Sequence, residues 1–296
     1  MKIAILSFLV SVVALAGNPT GNYKVIVDSL TKLESSHTSV TKIFSIGTND
    51  DGTDIFAVRV SLTPENPDPR KVAHIVVATH HGDERRAPTT AMKFLQSLVD
   101  SYESHLVFRN GLADTEWTIV PVLNIPGYNA RLREEHGWDP NRDYPGPCNA
   151  SPGGHLKSIR TLMEHLKTRV YTGSITLHGY ASSMTYPWGV ALDDPHTLDD
   201  NAYTAVTSKA AEKNGYRYGT MAKVVYPARG TYEDFVYWKY GMWSLLIELA
   251  SGSTTDIQQT VEAMTVWFDG IDRTPSTQNA LNSHCREAGR LDLRNE

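Results

Sequence analysis

Hydrophobic positions change their period several times along the chain, and each change marks an element. Ile3 to Ala16 is apolar or small throughout, apart from Ser7 and Ser11, and follows Lys2. A basic start, a short apolar run and the small-x-small triplet Ala14-Leu15-Ala16 predict an export signal over 1–16, leaving a mature chain of 17–296. The run is too short to span a bilayer comfortably, and no later segment reads as a span. Val27, Leu30 and Leu33 then share one face of a predicted helix over 25–33. The β-branched stretches 41–46 and 54–62, separated by a turn from Gly47 to Gly52, predict a hairpin.

From there the pattern alternates between strand and helix. Ala73 to Thr79 is a continuous apolar run of the kind a doubly covered central strand needs. Ala91, Phe94, Leu95 and Leu98 recur at helical spacing within 89–98. Further strands are predicted at 117–123, 174–177 and 245–249, and further helices at 159–166, 202–213 and 256–272. This order predicts one α/β domain with a mixed, mainly parallel sheet, and places functional groups at the C-terminal ends of its strands.

Composition narrows the class. Charged residues make up 21% and hydrophobic ones 41%, enough for a sizeable core. The net charge is −5 and no Lys/Arg run occurs, which argues against nucleic acid as a partner. The two cysteines, Cys148 and Cys285, could pair in an oxidising compartment but cannot build a Cys-rich metal site. A metal here would need His and carboxylate ligands.

Such groups follow three of the predicted strands. His80-His81-Gly82-Asp83-Glu84 closes the first. His81 and Glu84 have the three-residue spacing that lets two side chains on a turn meet one ion, and His80 and Asp83 share that spacing, so spacing alone does not choose between the pairs. His178 ends the strand at 174–177. Two ligands from one loop and a third from a distant strand make the usual set of a catalytic zinc, with a fourth position open to water. Glu248 sits in the apolar strand Ser244 to Leu249. A carboxylate there must pair, bind metal or hold its proton, and a raised pKa would suit a general base.

At these residues the sequence resembles the zinc carboxypeptidases of the funnelin (M14) family. The match is ordered and runs over most of the mature chain. His81-Gly82-Asp83-Glu84 is similar to the family's HGNE loop, which selects His81 over His80. Asn124 to Tyr128 resembles NPDGY with the proline shifted, and Asp139 to Pro145 resembles DLNRNFP. His178 to Gly189 is similar to HSYSQLxxYPWG, the most specific stretch. Tyr226 lies eight residues before Asp234, and Asp234 fourteen before Glu248, in the family's spacing.

The resemblance implies a single-domain α/β/α sandwich and a secreted, monomeric enzyme holding one zinc ion. His81, Glu84 and His178 would bind the zinc. Glu248 would take a proton from the zinc-bound water and pass it to the leaving amine. Asn141 and Arg142 would grip the terminal carboxylate of a peptide, and Tyr226 would close over it. Arg133, preferred over Arg131, would stabilise the developing oxyanion. Glu233, at the position that floors the side-chain pocket, would favour a C-terminal Lys or Arg, whereas Arg229 in the same loop would favour an acidic residue. Asp83 precedes the carboxylate ligand where many digestive members carry arginine, and Gly179 replaces the usual serine. No inhibitory prodomain and no C-terminal β-sandwich are expected. Two alternatives stay open: a murein-type peptidase acting on cell-wall stem peptides, and an inactive relative that only binds.

Overall fold

The computed structural model describes residues 19–104, 112–148, 151–191, 194–250 and 253–281. The predicted export signal lies outside them. So does Cys285; Cys148 is disulfide-bonded. No helix among the described residues is long and apolar enough to cross a membrane.

The chain opens with helix α1 (Gly21–Ser36), which buries Tyr23, Val27 and Leu30. The hairpin follows as β1 (Thr41–Thr48) and β2 (Asp54–Val60). Next come β3 (Val72–Ala78), α2 (Arg86–Glu103), β4 (Thr115–Val120), the short α3 (Ile125–Ala130), α4 (Lys157–Leu166) and β5 (Gly173–Gly179). The last part holds β6 (Ser183–Tyr186), α5 (Asp200–Asn214), β7 (Arg217–Thr220), α6 (Met221–Val224), α7 (Tyr232–Tyr240), β8 (Trp243–Leu249) and α8 (Thr254–Gly270).

These strands form one eight-stranded sheet in the order β1-β2-β4-β3-β5-β8-β6-β7. The centre, β4-β3-β5-β8, is parallel, while β1 with β2, β2 with β4, and β6 with β8 run antiparallel. The fold is thus the expected single α/β domain with a mixed sheet flanked by helices. The strand predicted over 117–123 starts two residues earlier and ends at Val120, because Pro121 has no N–H to give the ladder. Helix α2 runs well past the predicted 89–98 at both ends, with Pro88 in its first turn, where the missing N–H costs nothing.

Strand parity decides which residues face which layer. His74 of β3 lies beside Trp117 of β4 and Gly173 of β5. Its ring meets Trp117 and Phe268 of α8, and Phe94 of α2 packs on the same pair. Ile175 and Leu177 follow Gly173 onto that apolar face. Ser174, Thr176 and His178 therefore point to the opposite face, where Ser174 meets Tyr232 and Thr176 donates to Glu233, both at the start of α7. The sheet places β4 on one side of β3 and β5 on the other, so the chain reverses direction across β3. In open α/β sheets a crevice forms beyond the strand ends at such a reversal. His81 follows β3, and His178 is the penultimate residue of β5.

Candidate metal centre and substrate cleft

The turn that delivers His81 begins with Thr79, a β-branched residue at φ 63°. That left-handed conformation is costly for threonine and persists because its surroundings hold it. Its hydroxyl donates to the Pro121 carbonyl at 2.9 Å, and its own carbonyl accepts from Asn124 N–H at 3.0 Å. Gly82 is required by close approach: a Cβ there would lie 2.0 Å from the carbonyl carbon of Gly127. Asn124 ties the same region together, donating from Nδ2 to the carbonyls of His80 and Arg133 and accepting from Gly127 N–H. Asn124 belongs to the 124–128 motif, and its bracing contacts reach segments that the motif alone does not reveal.

His81, Glu84 and His178 each bring one ligand atom within 4.8 Å of the others, and all three are buried. His81 Nδ1 lies 2.8 Å from Glu84 Oε1 and 3.1 Å from His178 Nδ1, which is 3.1 Å from Glu84 Oε2. His81 Nε2 faces Asp139 Oδ1 at 2.9 Å. A carboxylate only accepts, so the Asp139 contact takes a proton from His81 Nε2 and fixes the ring with Nδ1 turned toward the cluster. Two imidazole nitrogens and a carboxylate aimed at one point repel one another unless a proton or a cation lies between them. The donor set and its convergence fit a zinc ion.

The electrostatics report the same demand. Burial works against a charged imidazole at His178, yet Glu84, Glu248 and Glu233 outweigh it and push its pKa up to about 9. Burial likewise opposes the Glu84 carboxylate, but His178 and His81 hold it down at about 2. Asp139 is also partly desolvated, and its hydrogen bond to His81 holds it well below the usual carboxylate range.

His80 does not join the cluster. Its Nε2 meets Tyr144 OH at 2.9 Å and its ring stacks on His178, while Asp83 is exposed. The geometry therefore distinguishes two pairs that spacing left equal.

A cleft of about 180 Å³ opens over the cluster. Glu248 lines it from β8, directly beside His178 in the parallel register, and is only partly buried because its carboxylate reaches the cleft edge. Burial raises its pKa, with His178 pulling the other way. Arg133 lines the cleft as well, 3.5 Å from Glu84 Oε1 and held by Asp139 Oδ2 at 3.0 Å. Arg131 is exposed, ends α3 in the left-handed region at φ 60°, and is not part of the lining.

Asn141, Arg142 and Tyr226 stand together on another part of the lining. Asn141 Oδ1 accepts from Tyr232 N–H at 2.9 Å, and Arg142 Nη2 donates to Tyr226 OH at 3.1 Å. Gly230, at φ 71°, lets the α7 entry pass this segment; a Cβ there would sit 2.4 Å from the Arg142 carbonyl. Glu233 is buried behind the cleft. Its Oε1 accepts from Thr176 Oγ1, its backbone carbonyl accepts from Ser244 Oγ, and its Oε2 has no hydrogen-bond partner among the described residues. Arg229 is turned to the Val190 carbonyl. Asp234 caps the 186–189 segment by accepting from Gly189 N–H with both oxygens, and burial pushes its pKa up to about 8. Tyr180, Met221, Val225 and Leu246 also line the cleft; Tyr180 and Leu246 fall in segments that the sequence motifs mark, whereas Met221 and Val225 sit in or beside the four-residue α6, too short to set a period.

A mixed α/β sheet with a two-His, one-Glu cluster at its reversal point carries the donor set of a catalytic zinc site. The zinc carboxypeptidase pattern matches residues 26–266, and the chain belongs to that M14 family. Human carboxypeptidase B is 26% identical over 239 residues, covering 69% of this chain and 56% of that protein. The chain thus spans little more than half the length of such relatives. Among solved structures, carboxypeptidase A from Helicoverpa armigera superposes at TM-score 0.69 and 17% identity, covering 94% of this chain and 75% of the other. Bovine thrombin-activatable fibrinolysis inhibitor, in complex with tick carboxypeptidase inhibitor, superposes at 0.69 and 15% identity, covering 86% and 96%. At those identities the likeness speaks for the fold.

Proposed function

We propose that this protein is an exported zinc metallocarboxypeptidase that removes single residues from the C-termini of peptides, acting as a monomer and preferring basic residues. One observation carries the reading. A single cleft holds the His81-Glu84-His178 cluster, Glu248 beside it, and Arg133, Asn141, Arg142 and Tyr226 around it. Bound there, one zinc ion would supply Lewis acidity toward the scissile carbonyl and the attacking water.

The chain's own groups do the rest. Asn141 spends its oxygen on Tyr232 N–H and keeps its amide hydrogens for a terminal carboxylate. Arg142 adds a planar fork of donors suited to the same group, and a half-exposed Tyr226 covers them. Their combined demand for a free carboxylate makes the site an exopeptidase site. Arg133, oriented by Asp139, points its charge toward the place where the carbonyl oxygen becomes anionic. Glu248 accepts the proton of the attacking water and returns it to the leaving amine. Glu233, whose Oε2 has no hydrogen-bond partner among the described residues, lies behind the cleft wall as the carboxylate that would meet a Lys or Arg side chain reaching inward.

The test is a panel of peptides ending in Lys, Glu, Leu or an amidated residue, plus a diaminopimelate-containing stem peptide, with and without a zinc chelator. Chelator-sensitive loss of single C-terminal residues, abolished by amidation, is the expected result. Cleavage of the stem peptide alone would transfer the assignment to murein, and zinc-loaded protein that cuts nothing would transfer it to a binding role.

Two variants probe the finer claims. Glu233→Gln is expected to cut kcat/KM for Lys-ended peptides about a hundredfold, the scale of removing one partner from a buried charge pair, and to leave Leu-ended peptides little changed. An unaltered Lys preference would remove Glu233 from the pocket. Asp139→Asn is expected to weaken zinc binding about 10–100-fold, as loss of a carboxylate supporting a ligating histidine does. Chelator competition reads this directly, and an unchanged zinc affinity would leave the Asp139–His81 contact without that role.

A further inference from the structure

A second group of metal-ligating side chains lies outside the cleft. Asp50 in the β1–β2 turn, and Glu135 and His136 in the loop after α3, each bring one ligand atom within 4.8 Å of the others. Asp51 adds a carboxylate oxygen 3.7 Å from His136 Nε2. A concavity of about 360 Å³ lies alongside, lined by Asp50, Asp51, His136, Trp138, His155 and Leu156. Asp50, Asp51 and His136 are all open to solvent, so an ion could enter.

Glu135 is the independent sign that something is to be bound. Its side chain is fully buried, Oε2 accepts from Ser158 Oγ at 2.5 Å, and Oε1 has no hydrogen-bond partner among the described residues. A buried carboxylate oxygen left unmatched is costly. Its charged neighbours worsen the balance, since Asp50, Asp51 and Asp143 are all negative. Arg160 approaches the group only at Asp50, at 3.9 Å. Asp50 keeps an acceptor position to spare while Oδ2 receives Lys157 N–H at 3.0 Å.

We infer that Asp50, Glu135 and His136 form a second divalent-cation site that takes a borderline ion such as Zn²⁺ or Mn²⁺. An imidazole nitrogen joined to two carboxylates suits those ions, whereas Ca²⁺ and Mg²⁺ favour an all-oxygen shell. The site joins three parts of the chain: the hairpin turn, the loop over 131–139, and the start of α4 through Lys157 and Ser158. That loop also carries Arg133 and Asp139, and Glu135 pairs with Trp138 through reciprocal backbone hydrogen bonds. An ion at Glu135 and His136 therefore anchors, from behind, the segment that meets His81.

The experiment counts ions. Full-length mature protein is stripped of metal, equilibrated with buffered Zn²⁺ or Mn²⁺, and assayed for ions per chain by mass spectrometry of the metals. Wild type is expected to hold two zinc ions, His136→Ala one, and His178→Ala one. Glu135→Gln checks the buried ligand, while His136, being exposed, can be removed without emptying the core. Saturation of the wild type at one zinc ion that His136→Ala retains, or retention of two by His136→Ala, would overturn the site. So would displacement of Mn²⁺ by an equal concentration of Ca²⁺. A His178→Ala protein that still holds two ions would instead count against the cleft assignment, so the two readings fail separately.

Discussion

Glu248→Gln is expected to lower kcat by about a thousandfold, within the range of about 10²–10⁴ that general acid–base catalysis contributes, with KM and zinc content unchanged. A thousandfold corresponds to about 4 kcal/mol of barrier. The amide keeps the shape of the side chain at the cleft edge and cannot accept the proton. Its neighbours in the register, His178 on β5 and Ser183 on β6, are untouched. The carboxylate-gripping residues are on other elements, so substrate affinity should stay as it is. The pH profile adds a second readout. Burial raises the Glu248 pKa, and the base works only when deprotonated, so wild-type activity should fall as pH drops through that raised value. The residual activity of the variant should lack that acid limb. A variant retaining more than about a tenth of the wild-type rate would remove Glu248 from the proton transfer.

His178→Ala is expected to weaken zinc binding in the cleft by more than about a hundredfold, beyond the loss caused by removing a supporting partner, and to bring hydrolysis down to that of metal-stripped protein. His178 is the ligand that comes from a different strand; His81 and Glu84 share one turn. Without it, two donors from a single loop remain, and the ion is no longer held across the β3–β5 crevice. The sheet should survive, because the β5 ladder is made by backbone groups and the apolar face of β5 is carried by Ile175 and Leu177. Far-UV circular dichroism should therefore match wild type while the zinc count falls by one. An unchanged count would overturn the ligand assignment.

Much of the fold was legible because its elements obey simple periods. Strand β3 is buried on both faces, so it appears as a continuous run from Ala73 to Thr79. Helices α2, α4 and α5 each keep one buried side, which spacing reveals. Helix α7 escaped notice because Tyr232 to Tyr237 is buried almost all round, leaving no polar face to set a period. Strands β6 and β7 have four residues each, too few for alternation to register.

The same division runs through the site. The order of motifs along the chain determined the family, the sheet-bearing class and the set of residues worth watching, since each motif carries its local geometry within a few residues. Whether His80 or His81 turns inward depended on Thr79 bending the chain and on Tyr144 occupying His80. The choice between Arg131 and Arg133 depended on where α3 ends and on Asp139 holding the second arginine. The approach of Glu135 to Asp50, 85 residues earlier in the chain, left no mark in either local pattern. Local periods and motifs encode what neighbouring residues do to one another; side chains brought together from distant segments meet only once the sheet and its crossovers have closed.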